Sequence, residues 1–256
     1  MLRAHRSKTV LSLFLLVILL MAIPVAAQAP PASEAHSWSY SGEHGPEHWG
    51  SQFATCGIGN DQSPIDIVNA KKEKLPEIKF SYHPSQLKVV NNGHTIQVNY
   101  RAGSAIVRDG KEYELVQFHF HHISENAING THAPMELHLV HRAEDGSLAV
   151  VAVMLKEGHP NKVVDLVWSH LPAAEDIENA PPSVKVNAAG LLPGMHNYYT
   201  FPGSLTTPPC SENVLWLVLE KPMTLSKEQI AKFAAIYPNN ARPVQPLNGR
   251  ALLESK

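Results

Sequence analysis

The sequence is poor in charged residues and contains only two cysteines. Charged side chains make up 17% of the 256 residues, and 21 Lys and Arg stand against 23 Asp and Glu, for a formal net charge of -2. Such a chain has no broad basic surface that would attract a phosphate backbone, so nucleic acid is not expected as a partner. Histidine is instead abundant, since six of the 15 histidines fall in the stretch from His119 to His141.

The longest hydrophobic run lies near the start of the chain, at residues 10–23, after three basic residues and before the small-x-small sequence at 27–29. It is shorter than the ~20 residues that span a bilayer, which disfavours the alternative of a membrane anchor. We therefore expect residues 1–29 to be a cleaved secretory signal peptide. Residues 30–256 would then form the mature domain, periplasmic or secreted and without stable membrane insertion.

Cys56 and Cys210 are both in the part of the chain that would be exported. In an oxidising compartment an even count of two favours one disulfide bond. The alternative, that both are zinc ligands, lacks the close Cys-x-x-Cys spacing of such sites.

Short β-rich runs alternate with turn residues from Lys79 onward. Asp109-Gly110 and Asp145-Gly146 are hairpin signals between such runs. Helices are expected only near 162–170 and after Ser226, where Ser226 and Gln229 fit a capping box. No repeat, linker or change of composition divides the chain. The pattern predicts a mainly β, mixed fold of one domain, with a large, mostly antiparallel sheet and a few short peripheral helices.

Two of these runs carry histidines at strand spacing. In QFHFH at 117–121, alternation puts Gln117, His119 and His121 on one face, and in MELHLV at 135–140 it puts Glu136 and His138 on one face. If the runs pair, three imidazoles converge. Three nitrogen donors suit Zn²⁺ and leave a fourth position for water, whereas Gln117 and Glu136 could accept a ring N–H. The alternative is solvated histidines on an exposed strand.

Motifs of other enzyme classes are missing from the sequence. It has no His-Glu-x-x-His of a zinc peptidase, no Gly-x-Ser-x-Gly of a serine hydrolase, and no Walker or Rossmann phosphate loop.

An ordered series of motifs resembles one known family, the α-class carbonic anhydrases, in particular those exported by bacteria. The motifs are GPEHWG at 45–50, QSPIDI at 62–67, NNGH at 91–94, QFHFH at 117–121, SE at 124–125, ELHLVH at 136–141, PGSLTTPP at 202–209 and NARP at 240–243. The resemblance implies a central twisted sheet of about ten strands. It also implies cis peptides before Pro64 and Pro209 and a disulfide between the two cysteines.

The resemblance further implies reversible hydration of carbon dioxide to bicarbonate and a proton, by attack of a zinc-bound hydroxide. The zinc ligands would be His119, His121 and His138, the same three residues that the alternation selects. Thr206 would accept a hydrogen bond from the hydroxide and donate one to Glu125. Inhibition by sulfonamides is part of the same expectation.

Other residues match roles in the family's cavity. His94 would be the proton shuttle, since an imidazole with an ordinary pKa of about 6.5 can take up and release a proton near neutrality. Tyr40, Asn92 and Gln97 would order the intervening water, although Gln97 stands where we would expect Asn. The apolar wall that holds carbon dioxide would comprise Val140, Val150, Leu205, Thr207, Val214 and Trp216. His122 follows a ligand directly, so alternation turns it away from the metal.

The main alternative is an inactive, carbonic-anhydrase-like binding module. In this family, that fate accompanies the loss of a zinc ligand. The three histidines, Glu125 and Thr206 are all present, which favours an enzyme. Carbon dioxide and bicarbonate are the expected partners. A homodimer is compatible with the sequence, which does not determine the oligomeric state.

Overall fold

A computed structural model describes residues 38–256 of the chain, and the expected signal peptide at 1–29 lies outside these residues. The strands of the described part are β1 (Asp66–Ile67), β2 (Lys71–Glu73), β3 (Ile78–Ser81), β4 (Ser85–Gln86), β5 (Val89–Asn91), β6 (Ile96–Asn99), β7 (Ala105–Arg108), β8 (Lys111–His121), β9 (Ala127–Ile128), β10 (Met135–Arg142), β11 (Leu148–Glu157), β12 (Glu178–Asn179), β13 (Lys185–Val186), β14 (Tyr198–Ser204), β15 (Glu212–Leu225) and β16 (Leu253–Ser255). The α-helices are α1 (Trp49–Gln52), α2 (Ala54–Ile58), α3 (Lys162–Trp168) and α4 (Lys227–Ala234), and short 3₁₀ turns occupy Gly42–His44 and Ala188–Leu191.

Twelve of these strands form one sheet, in the order β12-β5-β6-β8-β10-β11-β15-β14-β16-β2, with β3 and β7 joined at its side. The long β8 explains why the sheet exceeds the expected ten strands. Its first half pairs with β7 and its second half with β6, so one strand carries two neighbours on the same edge. Most pairs are antiparallel, as predicted, but β11 runs parallel to β15 and β16 parallel to β2.

The two faces of the sheet bury different sets of side chains. Phe118 and Phe120 of β8 lie in the larger core, which α3 and α4 cover with Trp168 and Phe233 among others. Full burial of each phenylalanine contributes about 1.5–3 kcal/mol. A smaller cluster, containing Val150 and Trp216, occupies the other face. The alternation predicted for residues 117–121 is therefore confirmed, because the two phenylalanines share a face that the histidines do not.

The local signals in the sequence form the expected structures. Asp109 and Gly110 have φ angles of 53° and 75° in the turn that joins β7 to β8, and Arg108 pairs with Lys111 across it. Positive φ at both positions is typical of a type I′ hairpin. Ser226 and Gln229 form the reciprocal capping box at the start of α4. The helix predicted at 162–170 ends two residues earlier, at Trp168.

Residues 38–256 lie within one structural unit. The disulfide between Cys56 and Cys210 is present, and the peptides Ser63-Pro64 and Pro208-Pro209 are cis as the resemblance implies. The peptide His122-Ile123 is also cis. In the part of the chain that the structure describes, every helix is too short or too polar to cross a membrane.

Candidate active site

The pairing of β8 with β10 brings the predicted histidines together. In this antiparallel pair His138 lies directly opposite His119, and Glu136 lies opposite His121. On the other side of β8, Gln97 of β6 is the neighbour of His119. Residues opposite each other on one face have Cβ atoms about 5 Å apart, so the register alone places these imidazoles side by side.

His119, His121 and His138 each present one ring nitrogen to a common point. The three atoms lie within 4.8 Å of one another, and no other such group of metal-ligating side chains occurs within residues 38–256. His121 and His138 are almost fully buried. The three nitrogens can therefore hold one metal ion on this face of the sheet.

The second nitrogen of each ring faces an acceptor. Nδ1 of His119 donates to Oε1 of Gln117 at 2.8 Å, and Nδ1 of His121 donates to the backbone carbonyl of Asn240 at 2.8 Å. Nε2 of His138 lies 3.2 Å from Oε1 of Glu136. Nε2 of His138 makes no hydrogen bond in the structure. Because the acceptors of His119 and His121 can only accept, the outer nitrogens of these two rings carry the protons and their inner nitrogens keep lone pairs for a metal.

The electrostatics of the cluster favour neutral imidazoles, the form that coordinates a metal. Burial lowers the pKa of His121 to about 4, and burial together with the neighbouring rings lowers the pKa values of His119 and His138 well below the ordinary value. Among the described residues, three buried atoms of this cluster have no hydrogen-bond partner: Nε2 of His121, Nε2 of His138 and Oε2 of Glu125. Three neutral nitrogen donors suit zinc, and a buried nitrogen without a hydrogen-bond partner, such as Nε2 of His121, would be unfavourable in a core that held no metal.

Glu125 and Thr206 lie beside this cluster. Oε2 of Glu125 is 3.4 Å from Nε2 of His121, and its Oε1 accepts the backbone N–H of Arg242 at 2.9 Å. The hydroxyl of Thr206 faces the same carboxylate. Burial raises the pKa of Glu125, whereas the hydrogen bonds from Arg242 and Thr206 act in the opposite direction. The charge of a bound cation would also favour the ionised carboxylate.

The loop that carries Thr206 is held at several points. Within it, Leu205 N–H donates to Ser211 O and Cys210 N–H donates to Thr207 O, both at 2.9 Å. Cys210 is bonded to Cys56 in α2. The buried guanidinium of Arg242 donates to Cys56 O, Gln62 Oε1 and Ser63 O. These contacts fix the hydroxyl of Thr206 relative to Glu125.

An apolar surface continues from the histidines across the sheet. Val140 pairs with Val150, and Val150 with Trp216, so that the three form one row. Trp216 lies with its ring centroid 5.0 Å from that of His138 and donates its indole N–H to Ser204 O. Leu205 and Val214 belong to the same cluster, and Thr207 is half-buried in the adjoining loop. The predicted wall residues are thus contiguous.

The sequence of the described chain agrees with one family throughout. The family model for eukaryotic-type carbonic anhydrase matches residues 44–256. The chain belongs to the α, or eukaryotic-type, carbonic anhydrases. It is 43% identical to a carbonic anhydrase of Nostoc sp. over 237 residues, which is 89% of each chain.

Solved carbonic anhydrase structures have the same fold. A hyperthermostable carbonic anhydrase from a hydrothermal vent chimney is 47% identical with a TM-score of 0.82, over 86% of this chain and all of that one. The α-carbonic anhydrase of Thermovibrio ammonificans, solved with the inhibitor sulfanilamide, is 42% identical with a TM-score of 0.82, over 86% of this chain and 99% of that one.

His94 lies in the turn between β5 and β6 of this carbonic anhydrase. Its half-buried ring stacks on Trp38 with a centroid separation of 3.6 Å, and Asn92 Oδ1 accepts the backbone N–H groups of His94 and Thr95. Burial lowers the pKa of His94. Tyr40 contacts Trp38 edge to face. The amide of Gln97 donates to Asn99 Oδ1 at 2.7 Å, so in this conformation it is engaged within its own strand.

Sequence reasoning assigned no role to Asn240, Arg242 or Trp38. Asn240 supplies the carbonyl that orients His121, and its side-chain amide donates to the carbonyls of His94 and Phe120. The NARP motif contains both Asn240 and Arg242, and it was the only signal that could have indicated them. His122 is turned away from the histidine cluster, as predicted, and its Nδ1 donates to Pro238 O at 2.7 Å.

Proposed function

We propose that this chain catalyses the reversible hydration of carbon dioxide to bicarbonate and a proton, with zinc held by His119, His121 and His138. The observation that carries the proposal is the convergence of three neutral imidazole nitrogens beside Glu125 and Thr206, with the outer N–H groups of His119 and His121 held by hydrogen bonds. Zinc bound there supplies a nucleophile at neutral pH, because it lowers the pKa of its water to about 7, a value established for carbonic anhydrases.

Thr206 would orient that nucleophile. A threonine hydroxyl has one proton, and Glu125, whose carboxylate the hydroxyl faces, would accept it. Toward the histidines Thr206 would then offer only lone pairs, so it would accept a hydrogen bond from the nucleophile and orient it toward the substrate. Arg242 supports this arrangement, since its backbone N–H donates to Oε1 of Glu125 and leaves Oε2 available to Thr206.

Carbon dioxide would bind on the apolar wall formed by Val140, Val150, Leu205, Thr207, Val214 and Trp216. A substrate without charge or dipole can be held only by shape and by the exclusion of water. The row from Val140 to Trp216 begins next to the histidine cluster and is mostly buried. This position would place carbon dioxide next to the nucleophile held at the three histidines.

His94 would carry the released proton outward, through water ordered by Tyr40, Asn92 and Gln97. We expect His94→Ala to lower maximal turnover by about tenfold or more in a weak, bulky buffer, with kcat/KM for carbon dioxide nearly unchanged because the conversion step does not use this ring. A small imidazole buffer should restore most of the loss. Stopped-flow assays in both buffers would check this, and wild-type turnover of the variant in the bulky buffer would exclude His94 as the shuttle.

The disulfide and the predicted signal sequence support an exported enzyme, periplasmic or secreted. The sulfanilamide complex of the Thermovibrio ammonificans enzyme supports inhibition of this chain by unsubstituted aromatic sulfonamides.

The direct test is stopped-flow hydration of carbon dioxide before and after removal of zinc. We expect one zinc per chain, loss of activity after dialysis against a chelator, and recovery on addition of one equivalent of zinc. Apo-protein that keeps its full activity would refute the zinc mechanism. A folded, zinc-loaded protein without activity would instead support the binding-module alternative.

A further inference from the structure

An acidic loop lies against the turn that contains His94. This loop, which joins α3 to β12, contains the consecutive residues Glu175 and Asp176, and both side chains are exposed. The backbone N–H of Asp176 donates to Asn91 O at 2.7 Å. A carbon placed at the Cβ position of Gly93 would lie 3.7 Å from Glu175 Oε2. The carboxylate of Glu175 therefore lies over the residue next to His94.

The position of the two acidic residues is fixed by the backbone. Asp176 has a φ of 58°, in the left-handed region that Asp and Asn tolerate better than most residues. Asn91, which accepts its N–H, also accepts the N–H of Gly93 and the hydroxyl of Tyr237 through its side chain. One residue thus links the acidic loop, the His94 turn and the segment after α4.

The charges that act on His94 come from this loop. Asp176 and then Glu175 raise the pKa of His94, in opposition to the larger effect of burial. The other groups around the turn are uncharged: Trp38 and Asn92 have no ionisable side chain, and burial raises the pKa of Tyr237 to about 12, so it keeps its proton. The negative charges that act on the ring therefore come from Asp176 and Glu175.

We propose that Glu175 and Asp176 are positioning residues for proton export, which hold negative charge beside His94 and thereby favour transfer of the proton onto its ring and toward the solvent. This inference rests on the proposed function of His94. An imidazole that relays a proton from the histidine cluster must first accept it, and nearby anions stabilise the imidazolium that forms. Both carboxylates are exposed, so the effect should weaken with salt.

The test is the double variant Glu175→Gln/Asp176→Asn, which removes both charges and keeps size, hydrogen bonding and the left-handed position. In weak, bulky buffer at low salt we expect maximal turnover to fall about threefold, because a weaker base accepts the proton more slowly. The value of kcat/KM for carbon dioxide should not change. In zinc-loaded protein the titration of the His94 ring, followed by NMR, should move to lower pH. Glu144→Gln, an exposed acidic residue in the β10–β11 turn, is the matched control and should leave both measurements unchanged.

A double-mutant cycle with His94→Ala separates the outcomes. If the loop acts through His94, adding Glu175→Gln/Asp176→Asn to His94→Ala should lower turnover no further. With His94 present, 0.5 M salt should reduce the difference in turnover between the double variant and the wild type. An unchanged His94 titration, or an equal loss in both backgrounds, would overturn the inference. If His94→Ala alone had no effect on turnover, the shuttle would be wrong, whereas the NMR titration would still report whether the loop acts on the ring.

Discussion

His138→Ala is expected to remove both zinc and activity. Four ligands share an apparent zinc-binding free energy of about 10–16 kcal/mol in closed structural sites, so each contributes about 2.5–4 kcal/mol. The loss of one of only three protein ligands should therefore weaken zinc binding by about 100-fold or more. The truncation also leaves Glu136 without the ring nitrogen that lies 3.2 Å away. Hydration of carbon dioxide should fall to the background rate.

Zinc content by atomic absorption, chelator competition and stopped-flow hydration would measure this result. His159→Ala is the matched control, because His159 is exposed and lies outside the cluster. Circular dichroism would establish that both variants are folded. A folded His138→Ala protein with full zinc and full activity would show that the metal is held elsewhere.

Thr206→Val should separate catalysis from metal binding. The substitution keeps the shape of the side chain but removes the hydroxyl that faces Glu125, and with it the group proposed to orient the nucleophile. The loss of one oriented polar group in an active site typically slows turnover by about 100-fold or more. Zinc content should stay at one per chain, since the three histidines and their acceptors are untouched.

The same variant should bind sulfonamides more weakly, by about tenfold or more, because the inhibitor loses one charge-assisted hydrogen bond. An unsubstituted aromatic sulfonamide has an anionic nitrogen that can bind zinc and one N–H left to donate to Thr206 Oγ. Its N,N-dimethyl derivative has neither and should not inhibit either protein. Thr206→Ser should recover much of the activity, and Thr131→Val, at an exposed threonine, should have no effect. Wild-type turnover and sulfonamide affinity in Thr206→Val would exclude the orienting role.

The sequence predicted those parts of the structure that depend on local pattern. Alternation in β8 and β10 was enough to put the three histidines on one face, and the turn residues Asp109 and Gly110 were enough to predict a hairpin. The capping box at Ser226 is equally local. In each of these cases the interacting residues are close in sequence, or they lie in strands where side chains alternate between the two faces, so that the face of each residue can be read from its position.

The remaining features depend on contacts between distant residues. The parallel pairing of β11 with β15 follows from the sheet order, which no short pattern encodes. Asn240 orients His121 through a backbone carbonyl, and a carbonyl is present at every residue. Trp38 lies before the first strand, where no periodicity indicates its contact with His94.

The contact between His121 and Asn240 joins two parts of the active site that are far apart in the sequence. The two strands that supply the histidines are near neighbours in the chain and can meet early, since a short loop costs little entropy to close. Asn240 lies 119 residues beyond His121, and Arg242, which completes the environment of Glu125, lies 117 residues beyond its partner. The three imidazoles thus come from neighbouring strands, whereas the group that orients His121 comes from a segment near the end of the chain. Full affinity for a metal should therefore require that this C-terminal segment is folded in place.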